Sequence, residues 1–231
     1  ATLIPDVVEI ERSKPDVVLL QNGFAEYLIN AWQYYKKFNK DTFLIYAQDD
    51  LIWSLPKKHP LHGQWPKDVK KRVFKILEKS DRLIVATEPL KEAFGSKIAD
   101  IRLVPNYLET ARWMNLPLTP LNEGKKPRVG WAGGGQHQGD LEFILPVIEA
   151  TKHEVDWVFF GMCPDVIRPH IKEYHGGVSF AEYPQKLASL NLDLAVAPLE
   201  HNNFNVAKTN LRLLEYGILG WPVVCTDIFP Y

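Results

Sequence analysis

The chain has 231 residues, 46% hydrophobic and 24% charged, with 27 Lys plus Arg against 28 Asp plus Glu for a net charge of −1. At about 150 residues per domain that is roughly one and a half domains, apolar enough for a sizeable core. Disorder, collagen-like structure and a globally basic nucleic-acid binder are excluded, and no apolar run approaches the roughly 18 residues of a membrane span.

Short apolar, β-branched runs alternate with longer amphipathic stretches. Asp16–Leu20, Thr42–Ala47, Arg82–Ala86 and Ile101–Pro105 predict strands, and so do Arg128–Gly133, Val155–Gly161, Val178–Tyr183, Leu192–Pro198 and Pro222–Thr226. Their shortness and weak alternation are the pattern of strands buried on both faces of a parallel sheet. Asp68–Ser80 places Val69, Val73, Ile76 and Leu77 on one helical face, and Asp140–Thr151 and Leu211–Leu219 read the same way. Such alternation predicts doubly wound α/β structure. The stretch Gln48–Lys67, with Trp53, His59, His62 and Trp65, has neither period and reads as a packed, ligand-facing loop. After the fourth predicted strand the proline-bearing Asn106–Pro127 ends in a polar, Gly-containing linker. The boundary is placed near residue 125, giving a partial N-terminal domain over 1–125 and a C-terminal domain over 126–231.

Two regions could carry chemistry. In Val129–Leu141 a strand runs into Gly133, Gly134 and Gly135 and then a helix. Glycines let phosphate oxygens approach backbone N–H groups, and the next helix adds partial positive charge. The spacing is neither GxGxxG nor a P-loop, and a plain strand–turn–helix connection fits equally well. Asp140 reads as the helix N-cap. In Leu192–Ile228, Lys208 stands where a helix starts, so a cation and free N–H groups converge, as a diphosphate needs. Glu215 lies among Leu211, Leu214, Ile218 and Leu219, where a carboxylate needs a partner. Ribose hydroxyls would serve; so would Arg212, or simple solvation.

No metal is expected. Asp49–Asp50 reads as a cap or polar turn, the histidines lack zinc spacing, and no Gly-x-Ser-x-Gly occurs. Cys163 and Cys225 lack CxxC spacing and fit a reduced cytoplasmic setting. The N-terminus has no basic-then-apolar pattern, so no signal peptide is expected. Trp131 and Trp157, inside strands, read as core. A nicotinamide dehydrogenase would want GxGxxG after the first strand, which is missing.

The segment Lys208–Thr226, K-T-N-L-R-L-L-E-Y-G-I-L-G-W-P-V-V-C-T, resembles the nucleotide-sugar site of the retaining "group 1" GT-B glycosyltransferases, in the branch with K-[ST]-N-x-K-x-x-E-Y. Val104–Asn106, the glycine turn, V-F-F-G and L-A-V-A-P fit the same family, so the likeness runs over most of 82–231. It implies two Rossmann-like parallel-sheet α/β domains, both incomplete, in a piece of a larger transferase. It also implies transfer of a sugar from a nucleotide-sugar to a glycan or lipid-linked glycan acceptor. The sugar donor is a co-substrate, and no cofactor is needed. Nucleic acid and transmembrane segments are not expected. The site would be cytoplasmic, or peripheral on the inner membrane.

By the same resemblance Glu215 matches the second Glu of E-(x7)-E and would bind the donor ribose. Ala207 stands where the first Glu should be. Lys208 would stabilise the departing diphosphate, with Thr209 and Asn210 beside it and His137 as a secondary cation. Backbone groups of Phe180, Ala181 and Glu182, at a strand end, would lie near the base. The acceptor-side catalytic His has no counterpart, since Asn22 occupies that strand end. The family's front-face route, in which the leaving phosphate deprotonates the acceptor, would need no separate base. The rival reading is a non-catalytic nucleotide-sugar-binding or scaffold domain of a polysaccharide-assembly protein.

Overall fold

The computed structural model describes residues 7–117 and 126–231, and the expected boundary near residue 125 lies outside them. The chain divides into two compact units. The first takes residues 1–54, 63–105 and 207–209, the second 55–62, 106–206 and 210–231.

The first unit runs α1 (Val7–Ser13), β1 (Val17–Gln21), α2 (Glu26–Phe38), β2 (Phe43–Gln48), α3 (Val69–Leu77), β3 (Arg82–Val85), α4 (Glu88–Phe94) and β4 (Ile101–Leu103). Its four strands are parallel, in the order β1-β2-β3-β4. Right-handed crossovers that always step the same way put their helices on one face. Leu20, Leu44, Tyr46, Leu83 and Val85 accordingly share a core with Leu28 and Trp32 of α2, Val73 and Ile76 of α3 and Phe94 of α4. Val17 and Leu19, on the other face of β1, are 51% and 53% exposed. Strands buried on both faces were the expectation, and here a one-directional topology covers only one. Thr87 caps α4, its hydroxyl accepting from the Leu90 N–H and donating to the carbonyl of Ala207. Ala207 is itself part of this core.

The second unit runs α5 (Thr110–Trp113), β5 (Arg128–Gly133), α6 (Gln138–Phe143), α7 (Leu145–Thr151), β6 (Asp156–Gly161), β7 (Glu173–Gly176), α8 (Tyr183–Ala188), β8 (Leu194–Ala197), α9 (Asn203–Val206), α10 (Leu211–Ile218) and β9 (Val223–Cys225). The parallel order β7-β6-β5-β8-β9 sends the chain outward from β5 and then back to its other side. Both faces are therefore covered. Trp131, Trp157 and Phe159 pack with Leu141 and Ile148 of α6 and α7, as expected of the two core tryptophans. Ala132, Val158 and Phe160 pack with Leu187 of α8, Tyr216 of α10 and Trp113 of α5. Strand order reverses between β5 and β8, and open α/β sheets bind ligands at the carboxyl ends of such a pair.

Two sequence expectations fail in this unit. Val178–Tyr183 is not a strand, because Gly176 and Gly177 end β7 and Ser179–Glu182 forms a capping box. The Ser179 hydroxyl accepts from the Glu182 N–H, while the Glu182 carboxylate accepts from the N–H and hydroxyl of Ser179. Asp140–Thr151 is two helices, because Pro146 lacks the N–H that would continue the ladder of α6. The long loop also divides. Trp53 and Trp65 pack against the first core, while Leu55–His62 belongs to the second unit.

Candidate functional site

At the switch point β5 ends at Gly133, and a single 3-10 turn, Gly135–His137, leads into α6. Gly161 closes the neighbouring strand with φ +92°, and a Cβ there would lie 2.3 Å from the Gly133 carbonyl oxygen. That oxygen accepts from the Met162 N–H at 3.0 Å, so the glycine turn is pinned from the β6 side.

Three polar side chains, Asp140, His137 and Arg212, meet under this turn. Asp140, inside α6 and 4% exposed, is no N-cap. Its carboxylate accepts from the backbone N–H of Glu200 at 2.7 Å, from Asn205 Nδ2 at 2.7 Å and from His137 Nδ1 at 2.8 Å. The reason lies in tertiary packing, since α9 delivers Asn205 to a carboxylate that the sequence suggests is local. His137, 4% exposed, sets its other nitrogen, Nε2, 3.2 Å from Arg212 Nη2. Arg212, in the first turn of α10, lies over the Trp131 ring at 5.1 Å. Its Nε and Nη1 are buried without a hydrogen-bond partner.

One turn further along α10, the Glu215 carboxylate accepts from the Tyr183 hydroxyl at 3.0 Å. Burial pushes the Glu215 carboxyl above its ordinary range, against the opposing pull of the Arg212 charge and the Tyr183 hydroxyl. Tyr216 anchors the helix, its hydroxyl oxygen accepting from the Ala132 N–H at 3.0 Å. Phe180 is 79% exposed and carries the Arg112 guanidinium 4.8 Å from its ring centre. Loop Leu55–His62 also reaches this end of the unit. Lys58 pairs with Glu142 at 2.5 Å, the His59 ring meets Phe204 at 5.4 Å, and Pro60 lies 3.9 Å from where a Gly135 Cβ would be.

Of the residues singled out in the sequence, the second unit brings Gly133, His137 and Glu215 around Arg212. Gly134 and Gly135 follow in the turn, and the exposed Asn210 precedes α10 without capping it by a side-chain bond. Phe180, Ala181 and Glu182 form the turn ahead of α8 instead of a strand end. Lys208 and Thr209 fall in the first unit, where Lys208 is buried and its charge opposes the burial that raises the Asp50 carboxyl. Asp49 accepts from Asn22 Nδ2 at 2.6 Å in the same unit. Sequence reasoning weighed Arg212 only as a partner for Glu215; the signal was its i, i+3 spacing from Glu215 on one helical face. Among the described residues no group of three His, Cys, Asp or Glu is placed to hold a metal ion, and no helix is long and apolar enough to cross a membrane.

No protein-family model and no curated protein matches the chain. Solved structures do. TarM superposes with a TM-score of 0.64 at 16% identity, over 96% of this chain and 44% of that one. The lipopolysaccharide outer core galactosyltransferase WaaB, in its apo form, gives 0.60 at 15%, over 97% and 60%. A glycosyltransferase from Rickettsia africae gives 0.59 at 14%, over 96% and 60%. The fold is GT-B. This chain spans 44–60% of the length of those GT-B structures, and at such identities the likeness is one of fold.

Proposed function

We propose that this GT-B chain is the nucleotide-sugar-handling part of a glycosyltransferase that passes a sugar to a glycan or lipid-linked glycan, with retention and without a metal. The observation that carries the reading is Glu215, a half-buried carboxylate at the switch-point end of the second unit that accepts from the Tyr183 hydroxyl. A carboxylate raised by burial gains from accepting two hydroxyls at once, and a ribose offers two neighbouring ones. Developing diphosphate charge would be met by the glycine-turn amides of the second unit. The turn ahead of α8, Phe180 to Glu182, would face the base. Such an enzyme needs no cofactor and would work in the cytoplasm or at the inner face of a membrane. A binding domain without catalysis is favoured by one feature: Ala207, at the position of the family's first Glu, is 2% exposed in the core of the first unit.

Calorimetric titration of UDP, GDP and dTDP tests the ribose assignment. One nucleotide binds saturably, and Glu215→Gln weakens it about 10- to 100-fold, the loss of a charge-assisted hydrogen bond. Equal affinity in the variant would remove Glu215 from the site.

A further inference from the structure

Among the described residues, Arg212 has two guanidinium nitrogens buried without a hydrogen-bond partner. Buried guanidinium groups are ordinarily saturated with acceptors, because each unpaired donor forfeits its hydration without return. Here Nη2 reaches His137 Nε2, while Nε and Nη1 are buried and reach no acceptor. Glu215 accepts the Tyr183 hydroxyl and feels the Arg212 charge without hydrogen-bonding it, and the Tyr216 oxygen takes the Ala132 N–H.

The group is nonetheless held firmly. Asp140 spends one oxygen on Glu200 N and Asn205 Nδ2 and the other on His137 Nδ1. A carboxylate in that place fixes the proton on Nδ1, leaving Nε2 as an acceptor for the arginine. Trp131 supplies the floor. Gly133 leaves the room, since a Cβ there would stand 2.5 Å from Arg212 Nη2 and 2.7 Å from Trp131 Cζ2.

We propose that Asp140 and His137 form a positioning relay that holds Arg212 unsaturated at the end of β5, to bind a phosphate oxygen of the ligand. The proposal rests on the nucleotide-sugar reading for the identity of that ligand and assigns the anion to Arg212 instead of a cationic His137. Arg212 makes the contact, His137 aims it, and Asp140 sets the tautomer of His137. An arginine kept for structure would be paired; one kept for a ligand lowers the stability of the empty protein.

Inorganic pyrophosphate, UDP, GDP and dTDP are titrated into the wild type and into Arg212→Met, His137→Leu and His137→Gln, with melting curves for each. Arg212→Met weakens pyrophosphate and the bound nucleotide about 10- to 100-fold, and its ligand-free Tm changes little, because removing two unsatisfied donors offsets the lost pull on Glu215. His137→Leu weakens binding too, and His137→Gln, which keeps an acceptor near the place of Nε2, recovers most of it. Unchanged affinity in Arg212→Met, or a Tm several degrees lower with affinity kept, overturns the proposal. So does a wild type that binds no pyrophosphate. Pyrophosphate bound through Arg212 with no nucleotide bound would instead sink the nucleotide-sugar reading and leave the relay standing.

Discussion

A methyl group on Gly161 would meet the Gly133 carbonyl at 2.3 Å, with φ at +92° where side chains are strained in any case. That carbonyl belongs to the backbone and cannot swing away, so the turn over Arg212 would have to move. Gly161→Ala should cost about 2–4 kcal/mol from the left-handed backbone and the displaced strand end together, read as a lower urea midpoint with an unchanged m-value. An unchanged midpoint would mean that β6 does not pin the glycine turn. Residues of this kind were partly legible. Three glycines after a strand announce a turn, and a glutamate among leucines announces a need for a partner. Arg212 was hidden because its surroundings come from His137, Trp131 and Gly133, all far away in the chain, and a sequence shows no acceptor that is missing. Asp140 misled for the same reason: a short acid at a helix start looks like a cap until a distant asparagine claims it.

At the level of elements, short strands were easy to read where both faces are buried, as in β5 and β6, whose runs are continuous and apolar. Val178–Tyr183 has strand-like composition, but Ser179 and Glu182 at capping-box spacing outweigh it, a signal present in the sequence. The second sheet is also tied across its width by charge. Arg128 of β5 reaches past β6 to hold Glu173 of β7 through two bonds, of 2.6 and 2.9 Å. The Arg128 guanidinium pulls the Glu173 carboxyl from its ordinary 4.5 to about 2, against a smaller rise from burial. A depressed acid contributes stability in full above its unfolded value and loses it as pH falls from about 4.5 toward 2. Because Glu173 is about a third exposed, solvent screening limits that contribution to about 1 kcal/mol. Glu173→Gln should lower Tm at pH 7 and merge with the wild type near pH 2, so its acid limb is flatter over that window. Parallel acid limbs would show that the pair does not couple β5 to β7.

For the whole molecule, parallel α/β structure follows from the alternation of runs, doubly wound only in the second unit, and the GT-B likeness from motif order along most of 82–231. Two exchanges between the units were not legible. Leu55–His62 comes from the first half of the sequence yet packs in the second unit, and Ala207–Thr209 does the reverse. Periodicity reports the face that a residue presents and says nothing of which body receives it. The exchange moves Lys208, read in the sequence as the diphosphate cation beside α10, into the first unit, and leaves Arg212 as the cation under the glycine turn. The measurement that bears most directly on a nucleotide-sugar transferase is turnover itself. UDP-, GDP- and dTDP-sugars are incubated with the chain and an oligosaccharide acceptor, and free nucleoside diphosphate is quantified. The sugar donor of one base is consumed, its sugar passes to the acceptor and its nucleoside diphosphate is released, with release lost in Arg212→Met; donors that all remain intact, from a protein that binds none of them, would contradict the account.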